Sequence, residues 1–177
     1  MPNFYFAYGS NMSAQQMALR CPGAKPHGVA VLPGWEFIIN QIGAAALRPS
    51  AAGQMYGVLW QCTARHLADL DRYEGVAQQV YQRQHLRLST LRTGSSVMAT
   101  VYVATDQLAG AAPVPGYVEH AILPGAREFT LPQTYIDELS TWLPGGSAYP
   151  DPSVRRTSTY RFGKKKPRKF TGWGGQK

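Results

Sequence analysis

The sequence predicts an α+β domain whose sheet curls into a barrel, and three observations lead there. Aromatic and β-branched runs, bounded by glycine, proline or polar turns, recur through residues 3–105. Helix-forming segments are inserted between these runs, and two more follow them. No internal repeat divides the chain.

The elements follow in order. "NFYFAY" (3–8) is aromatic and reads as a strand. "SAQQMALR" (13–20) holds helix formers and stops at Cys21-Pro22-Gly23. "GVAVLPGWEFIIN" (28–40) reads as two short strands around Pro33-Gly34, and "QMYGVLWQC" (54–62) as another. "TARHLADLDRYEG" (63–75) is the best-marked helix. Thr63 is its N-cap, Leu67 and Leu70 share a face, and Gly75 stands where a left-handed residue ends a helix. "VYQRQHLRLSTL" (80–91) and "SVMATVYVAT" (96–105) flank a glycine-containing loop and make a hairpin. Short helices are expected over 116–123 and 132–143, the second with Tyr135, Leu139 and Trp142 on one face.

A chain of 177 residues with 44% apolar content supports one domain with a real core. No apolar run approaches the roughly 20 residues that cross a bilayer, and no signal peptide is visible. Cys21 and Cys62 read as reduced, buried thiols, and the expected location is cytoplasmic. The net charge of +8 is unevenly placed, because nine of the eighteen cations and none of the acids lie from Arg155 onward. The domain is therefore assigned to 1–143, and 144–177 to a Gly/Pro-rich and then basic irregular tail. Its cations interleave with Tyr160, Phe162, Phe170 and Trp173, which suits an anionic partner, either nucleic acid or a membrane surface. A solvated extension accounts for the same residues.

The chemistry-bearing stretches are few. "YGSNM" (8–12) lies between a strand end and a helix start, where backbone N–H groups lack partners and can hold a carboxylate or phosphate. A simple turn, with Asn11 or Ser13 as a cap, explains the same residues. In "LDRYEGV" (70–76), Glu74 falls at a helix C-terminus near Asp69 and Asp71. These raise its pKa if it is shielded from water, whereas a solvated glutamate needs no role. Tyr81, Tyr102 and Tyr117 are either core residues or hydroxyls converging on a pocket. The histidines have no metal-ligand spacing, and neither a Walker loop, a dinucleotide fingerprint nor a nucleophile elbow is present. Acid–base chemistry and positioning, with no cofactor and no metal, are what these residues offer.

A strand running into Tyr-Gly-Ser-Asn-Met, followed in mid-chain by a helix-end Glu-Gly and a strand Tyr, resembles the γ-glutamylcyclotransferase-like (AIG2-like) family. "LDRYEGVAQQVYQ" (70–82), "TVYVAT" (100–105) and "VPGYVEHAILPGAREFTLPQTYIDEL" (114–139) extend the likeness over residues 3–143. The resemblance implies a mixed β-barrel flanked by helices that releases 5-oxoproline from γ-glutamyl compounds without a cofactor. It further implies that Tyr8, Gly9, Ser10, Asn11 and Met12 form the substrate loop and that Glu74 is the acid/base. Tyr81, Tyr102 and Tyr117 would line the pocket. Asn11 stands where the glutathione-specific branch usually has Leu, so the chain looks closer to the branch acting on γ-glutamyl amino acids or amines. The alternatives are a member of the fold that binds an acidic small molecule without turning it over, and a nucleic-acid-associated protein acting through its tail. A homodimer is left open.

Overall fold

A computed structural model describes residues 3–150. The basic segment 155–177, with the anionic partner expected of it, lies outside the described residues. Strand β1 (Asn3–Ala7) carries the aromatic run. It pairs antiparallel with β3 (Ala45–Cys62), from Asn3↔Cys62 to Ala7↔Val58, and parallel with β5 (Ser96–Ala104) at Tyr5↔Thr100. With β2 (Lys25–Ile39) and β4 (Tyr81–Thr90) the strands close a barrel in the order β1-β3-β2-β4-β5. The mixed barrel and flanking helices agree with the predicted fold class.

Two strand boundaries differ from expectation. Residues 28–40 do not form two short strands. β2 runs unbroken through Pro33-Gly34, which forms an irregularity in the ladder where the register jumps from Pro33↔Gln54 to Trp35↔Pro49. Gly34 takes φ +80°, and a Cβ on Gly53 would lie 2.4 Å from the Trp35 carbonyl oxygen. Two glycines thus absorb a bend that would otherwise end the strand. β3 also starts at Ala45, earlier than expected, because "AALRPSAAG" has poor intrinsic strand preference and pairs only because β2 lies alongside.

The helices are placed largely by their caps. Helix α1 (Ala14–Arg20) begins where the Ser13 hydroxyl accepts from the Gln16 N–H, 3.4 Å away. Helix α2 (Ala64–Tyr73) carries a reciprocal cap: His66 N–H donates to Thr63 Oγ1, and Thr63 N–H donates to His66 Nδ1, both at 3.2 Å. His66 Nε2 must then hold the ring proton and donate to the Pro22 carbonyl at 3.0 Å. Gly75 takes φ +65° and turns the chain after α2.

The helix expected at 116–123 is instead a π-helical turn, Val118–Ile122, leading into α3 (Leu123–Glu128). Pro124 does not end it, because proline lies within the first turn of α3, where its missing N–H costs nothing. Helix α4 (Gln133–Ser140) stops before Trp142. The indole still packs edge-on to Phe37, with ring centroids 6.3 Å apart.

The core fills the barrel and the space beneath the helices, with Phe6, Met12, Leu32, Ile39, Leu47, Met55, Leu59 and Leu70 buried. Burying each stabilises by roughly 1.5–3 kcal/mol relative to exposure. Both cysteines are free and buried, and burial pushes the Cys21 thiol to about 11 and the Cys62 thiol to about 12. No helix among the described residues is long and apolar enough to cross a membrane.

Candidate active site

The chain leaves β1 after Ala7 and turns at once, beyond Tyr8, through a 3-10 segment, Ser10–Met12. Met12 N–H returns to the Gly9 carbonyl at 3.0 Å and Ser13 N–H to that of Ser10 at 3.2 Å. The N–H groups of Gly9, Ser10 and Asn11 have no backbone acceptor among the described residues. Two glycines allow this packing. A Cβ on Gly9 would lie 3.2 Å from Ala45 Cβ and 3.3 Å from the Tyr117 hydroxyl. A Cβ on Gly125 of α3 would lie 2.6 Å from Ser13 N and 2.8 Å from the Met12 carbonyl carbon. The turn is thus clamped between β3 and α3, with Met12 as its buried anchor.

Glu74 is the C-cap of α2, which aims it at this turn. Its Oε1 accepts from Asn11 Nδ2 at 3.2 Å, and the same amide nitrogen donates to Tyr5 Oη at 2.9 Å. Burial raises the Glu74 pKa from 4.5 to about 7, against the opposing pull of Arg20 and of the Asn11 hydrogen bond. The repulsion expected from Asp69 and Asp71 is not a cause. Asp69 is paired with Arg72 at 2.6 Å, and Asp71 with Arg83.

The tyrosines divide into two groups. Tyr8, Tyr81 and Tyr117 all lie within electrostatic reach of Glu74, and burial raises each phenol. Tyr117 is pushed to about 12, so all three stay protonated donors near neutrality. Tyr8 donates to the Tyr102 carbonyl and Tyr81 to the Ala45 carbonyl, both at 2.6 Å. The Tyr117 hydroxyl meets the Ser10 side chain and the Ala45 backbone. Tyr102 is turned elsewhere. Its hydroxyl donates to Asp71 Oδ1 at 2.7 Å and lies 3.1 Å from the Leu67 carbonyl, although its ring edge meets Tyr5 with centroids 5.6 Å apart.

Tyr5 and Arg20 were not singled out by sequence reasoning, and both belong to this cluster. Arg20 Nη1 donates to Asn11 Oδ1 at 2.6 Å and to Ser10 Oγ at 3.3 Å. Tyr5 looked like one more aromatic of a strand, and Arg20 like the usual cation of a last helical turn. Neither type nor spacing set them apart. A separate groove of about 450 Å³ lies between the β2–β3 ribbon and α4, lined by Glu36, Gln54, Tyr56, Tyr135 and Glu138. None of the Glu74 cluster lines it. Among the described residues no group of His, Cys, Asp and Glu could hold a metal ion.

The arrangement can move a proton. A carboxyl poised near neutrality sits beside a turn in which three N–H groups have no acceptor among the described residues, and it is ringed by neutral phenols, as an acid/base next to an anion cradle requires. The sequence profile of the AIG2-like family matches residues 54–139, which include Glu74, Tyr81, Tyr102 and Tyr117 but not the turn. Over 150 residues the chain is 31% identical to "Gamma-glutamylcyclotransferase" of Mus musculus, covering 79% of this chain and 78% of that protein. The Homo sapiens protein of the same name is 29% identical over equal shares. A solved structure, "Gamma-glutamyl cyclotransferase", superposes with a TM-score of 0.75 at 26% identity, covering 90% of this chain and 95% of the other. Sequence and fold agree over most of both molecules, and the chain belongs to the gamma-glutamylcyclotransferase family.

Proposed function

We propose that the protein is a cyclotransferase that releases 5-oxoproline from γ-glutamyl amino acids or γ-glutamyl amines. Glu74 acts as acid/base, and the Tyr8–Met12 loop holds the γ-glutamyl group. The observation that carries this reading is the contact of Glu74 with Asn11. A carboxyl held near neutrality by burial touches the turn in which the N–H groups of Gly9, Ser10 and Asn11 have no acceptor among the described residues.

The chemistry follows from these parts. The substrate's α-amine, once neutral, attacks its own γ-carbonyl carbon, and a five-membered lactam forms as the bond to the leaving nitrogen breaks. The attacking nitrogen must shed a proton and the leaving nitrogen must gain one. A group with a pKa of about 7 can do both in turn. Holding the γ-glutamyl chain folded makes the attack effectively unimolecular, which removes several kcal/mol of barrier. The N–H groups of Gly9, Ser10 and Asn11 supply donors for the substrate carboxylate or the developing oxyanion. The protonated phenols of Tyr8, Tyr81 and Tyr117 hold the backbone of β5, β3 and the turn in place around that reaction.

The test is direct. The purified protein and a Glu74→Gln variant are incubated with γ-glutamyl amino acids, γ-glutamyl amines and glutathione, and 5-oxoproline is assayed. The expected result is release by the parent, lost in the variant, with γ-glutamyl amino acids or amines preferred to glutathione. Absence of release from every substrate would replace turnover with binding alone.

A further inference from the structure

We propose that Arg20 is a positioning residue of this site, whose guanidinium fixes the Asn11 carboxamide so that its nitrogen faces Glu74 and donates to one of the two carboxylate oxygens. The inference rests on the reading of Glu74 as the proton-transfer group.

A carboxamide has an acceptor oxygen on one side and a donor nitrogen on the other, and a half-turn exchanges them. Arginine carries donors only. With Arg20 Nη1 at 2.6 Å, the Asn11 oxygen must face helix α1. The nitrogen is thereby turned to the other side, where its two hydrogens meet Tyr5 Oη at 2.9 Å and Glu74 Oε1 at 3.2 Å. Asn11 is only 3% exposed, so water offers little competition for either end. In the reversed orientation the amide oxygen would face the carboxylate, two acceptors in contact, which is unfavourable in a buried setting.

This orientation makes the two carboxylate oxygens unequal. Oε1 accepts from Asn11, whereas no described residue donates to Oε2, so Oε2 is the oxygen with both lone pairs open to a proton from the substrate amine. Arg20 is itself held. Its Nη1 also reaches Ser10 Oγ at 3.3 Å, and its guanidinium carbon lies over the Tyr73 ring, 5.0 Å from the centroid. A cation at the end of α1 merely serving the helix dipole would have no need of either partner.

Charge follows the same geometry. The groups facing Glu74 are Tyr5 from β1, Tyr8 just after it, Tyr81 from β4, Tyr117 before the π turn, and Arg20 from α1. The four phenols are neutral near pH 7, so Arg20 is the member of this set that favours the ionised carboxylate. Removing it takes away both the charge and the oriented Asn11 donor, and Glu74 then holds its proton to higher pH.

The experiment is a carbon-13 NMR titration of the glutamate carboxyls in the full chain, with Glu74 assigned by its loss in Glu74→Gln. The parent, Arg20→Gln and Arg20→Lys are compared, and a thermal melt of each checks the fold. The Glu74 midpoint is expected to rise by about one pH unit in Arg20→Gln and by less in Arg20→Lys, which keeps the charge but not the planar fork. The acid limb of kcat/KM for 5-oxoproline release moves with it. An unmoved midpoint in Arg20→Gln overturns the proposal. Should that variant not fold, Arg20→Met, which keeps the apolar stem over Tyr73, is read by the same two outcomes. A parent that releases no 5-oxoproline defeats the functional reading instead, and the titration still decides the role of Arg20.

Discussion

Asn11 Nδ2 lies 3.2 Å from Glu74 Oε1, although 63 positions of sequence separate the two residues. The turn after the first strand and the end of the second helix therefore meet in one site, and the behaviour of each depends on the other.

The rate should depend on the ionisation of Glu74. A base with a midpoint of about 7 is mostly protonated below that value. On a substrate whose amine titrates well above this range, log kcat/KM should rise from pH 5 with unit slope, modified on the alkaline side by the amine itself. The acid limb should bend near pH 7. Glu74→Gln should lose roughly 10²–10⁴-fold in rate and show no such limb. A pH–rate profile of both proteins checks this.

Stability should carry the same signature. The folded-state pKa of Glu74 is raised above its ordinary 4.5, so between about 4.5 and 7 the native state binds more protons than the unfolded one. The advantage of the neutral carboxyl is fully present below 4.5 and is lost as pH rises to 7. Glu74→Gln, which never ionises, should equal the parent at pH 4. At pH 8 it should exceed the parent by up to about 3 kcal/mol. Urea unfolding at the two pH values measures the difference, and an equal gap at both would contradict it.

The two glycines that clamp the turn should fail in different ways. Gly9→Ala meets a methyl group and a hydroxyl at 3.2 and 3.3 Å, which can shift by tenths of an ångström. It should displace the turn and lower kcat/KM about a hundredfold with little change in melting. Gly125→Ala meets backbone atoms at 2.6 and 2.8 Å. It should destabilise the fold by about 1–3 kcal/mol, read as a lower melting temperature.

Tyr102→Phe and Tyr81→Phe should separate the two groups of tyrosines. The first removes a hydrogen bond to Asp71, which keeps its pairing with Arg83, so about 1 kcal/mol of stability should go with kcat/KM nearly unchanged. The second leaves the Ala45 carbonyl without its donor, beside Gly9 and Tyr117, and should depress turnover. Parallel melts and assays of the two variants decide this.

The sequence carried the strand and helix types well, because caps and turns are local. Ser13, Thr63 and Gly75 do what their chemistry implies within a few residues of themselves. It failed where a partner strand overrides weak local preference, as in residues 45–53, and where Pro33 and Pro124 sit at positions that tolerate proline. The approach of Glu74 to Asn11 became readable only through family resemblance, since no spacing rule links residues 63 positions apart. The cause assigned to the Glu74 shift was wrong in the same way. Its acidic neighbours in sequence have cations of their own, and enclosure by the barrel end is invisible in a linear reading. Arg20 and Tyr5 were hidden because their roles depend on direction, and direction is set by packing.

The seam at Tyr5↔Thr100 has a consequence for how the protein comes to be active. β1 has no hydrogen-bonding neighbour until residues 58–62 exist, and its second neighbour arrives only with β5. Joining ends so far apart in the chain carries a loop-closure cost that local hairpins avoid, and topologies of this kind fold slowly. The β4–β5 hairpin and α2 can form early, while the turn that depends on β1 waits for the barrel to shut. In a refolding experiment the far-UV signal should therefore return ahead of catalytic competence, and the interval between them is the time the chain needs to find its own first strand.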